Sequence, residues 1–178
     1  RMTPLELQDD LVDELKTMFE QHTFKVPDYD VIESPDENNE IEPRFQTPTP
    51  FKRVPLNIYA QQLPVQESDD DADPVPYIIV RLNSGHDIGD GASVNAVKLI
   101  VIIGIWDDDP ANQGHRDVMN IIQDIYERFS KTPSLKNKYA FAGDFNWALQ
   151  EDAYFPYHFG ACSMAFNIPA IRREDPLT

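Results

Sequence analysis

The segment from residue 94 to residue 106 decides the fold class; it reads VNAVKLIVIIGIW. Its apolar run, Leu99 to Trp106, has the length of a buried strand and is far shorter than the ~18 residues of a membrane span. Upstream, YIIVRL (77–82) is also rich in β-branched residues. The turn-rich stretch between them, Gly85 to Gly91, predicts that the two segments form an antiparallel hairpin.

Two amphipathic helices are predicted on either side of these strands. The first covers about residues 3–20, where Thr3 is a good N-cap, Pro4 suits the first helical position and Glu6 completes a capping box. The second follows Gly114 and stops at Thr132-Pro133. Its apolar residues fall on one stripe, which we expect to face the core: Val118, Ile121, Ile122, Ile125 and Phe129.

The other strands complete an α+β pattern. Residues 54–60 are predicted as one strand, and two or three more are predicted near 139–141, 145–149 and 159–168. In the last of these, Cys162, Met164, Phe166 and Ile168 share one face. We therefore expect a mainly antiparallel sheet with both helices packed on one face. A chain of 178 residues is predicted to form a single domain over residues 1–178.

An acidic, proline-rich segment interrupts this pattern. Residues 28–42 contain seven acids and no Lys or Arg, and prolines recur as far as Pro50. We predict an extended arm or loop over residues 28–53, with at most one short strand at Val31-Ile32. Such a segment either stays solvated or becomes ordered against a partner.

The charge balance and the single cysteine limit the classes of function that fit this sequence. Asp and Glu number 31 against 15 Lys and Arg, which gives a net charge of −16. This argues against a nucleic-acid binder that neutralises phosphates with a basic surface. The single cysteine, Cys162, excludes an internal disulfide and a cysteine-built metal site, and it indicates a reducing compartment. No signal-peptide pattern follows Met2, and we expect no membrane association.

Three short motifs hint at catalysis, but each has a simpler interpretation. Asp107-Asp108-Asp109 follows a strand, and a divalent metal site would need further oxygen ligands around it, so we predict a solvated turn. His115-Arg116-Asp117 repeats three letters of the kinase catalytic loop without its other motifs, and helix capping is predicted. Cys162 fits a small buried hydrophobe. We expect no enzymatic activity, no cofactor, and no catalytic or metal-binding residues; a metal-dependent enzyme is the alternative.

Contacts with partners are predicted at several places. The run from Tyr154 to Phe159 holds four aromatics in six residues, which favours either hairpin and core packing or a subunit-interface anchor. Within it, Tyr154, Phe155 and Tyr157 are the candidate interface residues. The arm, the turn after residue 85 and the C-terminal tail supply the others, namely Glu37, Glu40, Arg44, Phe45, Phe51, His86, Asp87, Arg172 and Arg173.

The order of elements, together with five local segments, resembles the tail terminator (tail completion) proteins of long-tailed bacteriophages and prophages. The segments span about residues 76–169 and are PYIIVRL (76–82), IGIWD (103–107), GHRDVMNII (114–122), YFPYHFG (154–160) and FNIP (166–169). The arm is longer than in the simplest members of this family. A related head–tail joining (neck) protein therefore stays open, as does a monomeric or dimeric adaptor unrelated to phages.

The resemblance implies a structural virion protein that forms a homo-oligomeric ring, most often a hexamer. Such a ring caps the tail tube and connects it to the head. Its partners are the tail-tube protein and a head–tail connector or stopper protein. DNA passes through the ring without specific binding. The implied location is the tail or neck of the virion, and the host cytoplasm during assembly.

Overall fold

The computed structural model describes residues 2–32, 49–68, 74–86 and 94–170. The helices are α1 (Pro4–Phe19), α2 (Tyr29–Ile32) and α3 (His115–Lys131). The strands are β1 (Thr23–Pro27), β2 (Phe51–Pro55), β3 (Asn57–Ala60), β4 (Tyr77–His86), β5 (Val94–Trp106), β6 (Ser134–Leu135), β7 (Tyr139–Leu149) and β8 (Tyr157–Pro169). A six-stranded sheet has the order β3-β4-β5-β8-β7-β6, and β1 and β2 form a separate antiparallel pair.

The predicted fold class is confirmed. Every described strand pair is antiparallel except β3 with β4, which is parallel. Both long helices contribute to the same core on one face of the sheet, α1 through Leu7, Leu11 and Leu15 and α3 through its predicted stripe. The capping box of α1 is also present, because the Glu6 amide donates to the Thr3 hydroxyl at 3.2 Å and the Thr3 amide donates to the Glu6 carboxylate at 3.0 Å.

Strand β5 is long, as its sequence predicts, and with β8 it forms the middle of the sheet. It pairs with β4 on one side and with β8 on the other, and Val94 and Trp106 at its two ends pair with Pro169 and Tyr157. Alternate residues of β5 and β8 are buried under the helices, including the predicted face of β8. The alternation follows from the two-residue period of a strand, which sends successive side chains to opposite faces.

The opposite face of the sheet carries a smaller apolar cluster at one end. It consists of Val75, Tyr77, Ile79 and Trp106, with Tyr157 and Phe159 among the partly buried residues packed against it. This cluster lies where β4 begins and β5 ends. Through Tyr157 and Phe159, the cluster packs against the end of β8 that follows the β7–β8 turn.

The structure corrects four local predictions. Residues 54–60 belong to two strands in different sheets, because Pro55 ends β2 and Asn57 begins β3. Residues 29–32 form the helix α2 rather than a strand, so helix and strand residues occur at both ends of the predicted arm over 28–53. The strand β1 was not predicted. Residues 139–149 form one strand with an irregularity between Phe141 and Phe145, where Gly143 has φ +80°.

Candidate functional site

Four chain segments that are distant in sequence meet where β5 ends; we call this region the Asp107 end. The Asp107 amide donates to the Pro156 carbonyl at 2.9 Å, and the His158 Nε2 atom lies 3.3 Å from the Asp107 carbonyl oxygen. Lys25 of β1 lies 3.6 Å from the Asp107 carboxylate, and the Thr49 amide donates to Asp108 at 3.3 Å. The Asp107 end therefore joins both sheets and the β7–β8 turn.

The aromatic run 154–159 forms a rigid projection at the Asp107 end. The Tyr157 amide donates to the Tyr154 carbonyl at 2.7 Å, which closes a tight turn with a cis Phe155-Pro156 peptide bond. Tyr157 and Phe159 stack with ring centroids 6.3 Å apart against the smaller cluster. Tyr154 and Phe155 project outward, with 56% and 51% of their surface exposed. The last two aromatics of the run thus pack on the sheet, as the core interpretation predicts, while the first two are exposed and their interface role stays a prediction.

Opposite charges surround Asp117 in the first turn of α3. Partial burial is the main reason that the pKa of Asp117 is raised above its ordinary value of 3.8, and the neighbouring Asp107 carboxylate raises it further. Lys25, Arg53 and His158 act in the opposite direction. The charges that act on Asp117 thus come from β1, β2, β8 and the residue that follows β5.

The prediction of a solvated turn holds only for Asp109, which is exposed and begins a turn in which its carbonyl accepts from the Asn112 amide at 2.8 Å, whereas Asp107 and Asp108 are half-buried. The Asp109 amide donates to the Asp107 carboxylate at 3.2 Å, and the Ala111 amide donates to the Asp109 carboxylate at 2.8 Å. The Asp108 carboxylate turns instead to Thr49. Within the described ranges, no group of three or more His, Cys, Asp or Glu side chains is arranged to hold a metal ion.

The predicted capping role of His115-Arg116-Asp117 is wrong. Gly114 is the N-cap of α3, and no side chain makes a capping hydrogen bond there. The three residues form the first turn of the helix instead. The His158 ring takes the space beside Gly114, so the side chain of Ser, Asp or Asn, which would cap better, does not fit.

A groove of ≈ 250 Å³ runs beside the aromatic turn. The residues that line it combine aromatic, acidic and imidazole side chains, among them His115, Glu151, Asp152, Tyr154 and Phe155. Exposed aromatic rings are enriched at protein interfaces, whereas Asp and Glu are depleted there, so only the aromatic part of this lining favours an interface.

The predicted interface residues separate into three groups. Phe51 is 50% exposed in β2, and its ring lies 5.1 Å from the Lys25 ammonium, so it belongs to the Asp107 end. His86 pairs with Ala96 at the opposite end of β5, about 33 Å away at the rise per residue of a strand. The structure therefore does not bring His86 together with the aromatic turn. The remaining candidates, Glu37, Glu40, Arg44, Phe45, Asp87, Arg172 and Arg173, lie outside the described residues.

Sequence reasoning missed one prominent surface residue, Trp147. Its register partner Cys162 is buried, yet 56% of the tryptophan surface is exposed. The only sequence signal for Trp147 is its alternation with Phe145 and Leu149, which predicts that the three side chains share one face of a strand. This alternation does not indicate how much of that face α3 covers. Nearby, the Tyr126 ring of α3 contacts the Phe145 ring at a centroid distance of 5.2 Å, and Tyr126 is also exposed.

Comparison with protein-family models and with curated proteins gives no match. In the described part of the chain, none of the helices is both long and apolar enough to cross a bilayer.

Proposed function

We propose that this chain is a structural subunit of a ring that caps a phage tail tube and connects it to the head or neck. The observation that carries the proposal is the composition of the Asp107 end. Four of the five segments that resemble tail terminators meet there, although as many as 80 residues separate them in sequence: 76–82, 103–107, 114–122 and 154–160.

The contacts between these segments are direct. Tyr77 pairs with Gly104, Gly104 pairs with Phe159, and the His158 ring packs against Gly114. A set of local similarities that forms one connected surface favours a shared role over chance likeness. The exposed pair Tyr154 and Phe155 at its tip supports a role in binding another protein, because aromatic side chains supply much of the energy of interfaces.

The net charge of −16 suits a ring through which DNA moves. A lumen lined with carboxylates repels the phosphate backbone, so the DNA slides instead of adhering. We propose that part of the acidic surface of each subunit faces such a lumen. Neutralising those acids in the assembled ring would then slow DNA passage.

The test is the mass of the protein by light scattering over a wide concentration range, alone and with tail tubes of the same phage. The proposal expects particles of about six times the subunit mass of 20.4 kDa, or binding at the tube tips in electron micrographs. A constant mass of 20.4 kDa that ignores the tubes would contradict it and favour the adaptor. Rings that bind head connectors but ignore tubes would favour the neck protein.

A matched pair of variants tests the aromatic turn. We expect the double change Tyr154→Ala, Phe155→Ala to weaken tube binding at least about tenfold, as removal of interface anchors does. Val65→Ala is the control, because Val65 is 90% exposed in a different loop. Equal binding by the two proteins would exclude the aromatic turn from the contact.

A further inference from the structure

Among the described residues, no strand pairs with the outer edge of β7 beyond Ala140. Strand β6 pairs only with Tyr139 and Ala140, and the other side of β7 is occupied by β8. The Gln150 amide donates to the Phe159 carbonyl at 3.1 Å, so the backbone groups of residues 146 and 148 also point toward β8. The backbone N–H and C=O groups of Phe145, Trp147 and Leu149 therefore point outward.

This edge lacks the features that protect exposed strands. Residues 145–149 read FNWAL, without a charge or a proline, and Trp147 is largely exposed on it. Natural proteins usually block such an edge with charges, prolines or a covering segment. On β4, by contrast, backbone groups where its pairing with β3 ends are covered, because the Gln61 side chain accepts from the Leu82 amide at 3.0 Å and Gln8 donates to the Val80 carbonyl at 2.8 Å.

Self-pairing of two β7 edges is electrostatically unfavourable. If two copies pair antiparallel with Trp147 opposite Trp147, Asp144 of one copy lies opposite Gln150 of the second copy. Asp144 is then also next to Glu151 of that second copy. The same two carboxylates approach again at the other end of the pair. Like charges at neighbouring cross-strand positions destabilise a sheet, so a strand with positive charge is the better partner.

Strand β2 has that charge, and β1 is its only pairing partner among the described strands. The sequence of β2 is FKRVP, with Lys52 and Arg53 both exposed. The Asp28 amide donates to the Pro50 carbonyl at 2.9 Å, so residues 52 and 54 face β1 and the backbone groups of Phe51 and Arg53 point outward. Lys52 and Val54 also line an apolar groove of ≈ 260 Å³, which offers a surface for an indole ring.

We propose that the β7 edge of one copy binds the β2 edge of the next copy, so that the sheet continues from subunit to subunit. Lys52 and Arg53 then approach the acids at one end of the uncharged stretch of β7, namely Asp144 if the two strands run antiparallel or Glu151 and Asp152 if they run parallel. Because the two surfaces differ, the contact is head-to-tail and closes into a ring when the rotation per subunit fits. The inference rests on the proposed function and names the subunit contact within it.

Cysteine cross-linking tests the contact with two proteins mixed in solution. One carries Trp147→Cys and the other Phe51→Cys, both at exposed sites, and a short bismaleimide joins thiols that lie close together. We expect a cross-linked dimer in the mixture and none with either protein alone. The native Cys162 is silent, because burial raises the pKa of its thiol to about 12, and the unsubstituted protein serves as the check.

The outcomes separate the possible contacts. A product from the Trp147→Cys protein alone would overturn the proposal in favour of β7 self-pairing. No product from the mixture, or the same yield when Val65→Cys replaces Trp147→Cys, would also overturn it. As a second measurement, Trp147→Lys places a charge on the edge and is expected to weaken assembly about tenfold or more while the circular dichroism spectrum stays unchanged.

Failure of this inference is distinguishable from failure of the proposed function. Ring-sized particles that cap tubes without this cross-link would remove the strand contact and leave the function in place. Cross-linked assemblies that ignore tail tubes would keep the strand contact and remove the function.

Discussion

At the scale of single residues, close packing decides which positions accept only glycine. An added Cβ at Gly114 would lie 2.3 Å from the His158 Cδ2 atom, and one at Gly104 would lie 2.6 Å from the Tyr77 ring. Neither ring is free to retreat, since His158 lies in β8 beside Asp107 and Tyr77 lies in the smaller apolar cluster. Gly114 thus lets the start of α3 approach β8 beside the aromatic turn, and Gly104 leaves room for the Tyr77 ring of the neighbouring strand.

The first prediction compares two glycine substitutions. Gly114→Ala is expected to lower the free energy of unfolding by about 1–3 kcal/mol, the usual cost of overpacking. Gly85→Ala is the control, because its nearest atom is the Ala96 carbonyl oxygen at 3.9 Å, and we expect almost no change. Urea denaturation measures both. Equal effects would show that the His158 ring yields to the new methyl group.

The second prediction concerns the charge of Asp117. Because the pKa of Asp117 is raised in the folded protein, its neutral form contributes stability that is fully present below the ordinary value of 3.8. That contribution is lost as the pH rises through the raised pKa. Asp117→Asn cannot ionise, so its stability relative to the original protein should increase between acidic and neutral pH. Urea denaturation across that pH range measures this difference, and a pH-independent difference would contradict the assignment.

At the scale of elements, an ion pair connects the two long helices over the core. The Arg128 Nε atom of α3 donates to the Glu14 carboxylate of α1 at 2.6 Å. Its Nη1 atom donates to the Thr132 carbonyl at 2.6 Å, and its Nη2 atom donates to the Ser134 carbonyl at 3.3 Å. The Arg128 guanidinium thus donates to a backbone carbonyl at the C-terminus of α3, to a backbone carbonyl at the start of β6 and to a carboxylate that is largely shielded from water.

The third prediction separates this pair from an exposed one. Arg128→Met keeps the aliphatic stem but leaves Glu14 without its partner, and we expect a loss of about 2 kcal/mol of stability. Lys131→Met removes the pair with Glu127, in which the side chains are 74% and 45% exposed, and should change stability much less. Thermal and urea denaturation measure both. A similar loss in the two variants would mean that Arg128 does not brace the helices.

At the scale of the whole molecule, the negative charge dominates encounters with other molecules. A net charge of −16 on 178 residues repels polyanions from every part of the protein surface that has no local cluster of basic residues. The exposed basic residues of β2 are too few to reverse this. The same charge disfavours association of copies except where complementary patches meet, which limits the contacts that a ring can use.

The fourth prediction follows from this charge. Linear duplex DNA should not be retarded by the protein in a gel-shift experiment at low salt, where electrostatic binding is strongest. A basic DNA-binding protein in the same buffer is the positive control. Retardation that disappears with added salt would reveal a phosphate-binding surface and contradict the proposed free passage of DNA.

Much of the fold was predictable because its signals are local. The capping box at Thr3 and Glu6 begins α1, the stripe of α3 repeats at helical spacing, and alternation in β8 marks its buried face. Each of these depends on residues within one or two turns of each other. Periodicity therefore determined the long elements and the α+β class from the sequence by itself.

Tertiary structure alone decided which elements meet and which stay exposed. The separation of β2 from β3 depends on pairing with β1 about 30 residues upstream, and the short apolar run of β1 has no distinguishing period. The Asp107 end and the open edge at Trp147 arise from strand order and from how far α3 reaches across the sheet. Such contacts join residues that are distant in sequence. Local sequence patterns do not predict them, because each strand could pair with any of several other strands along the chain.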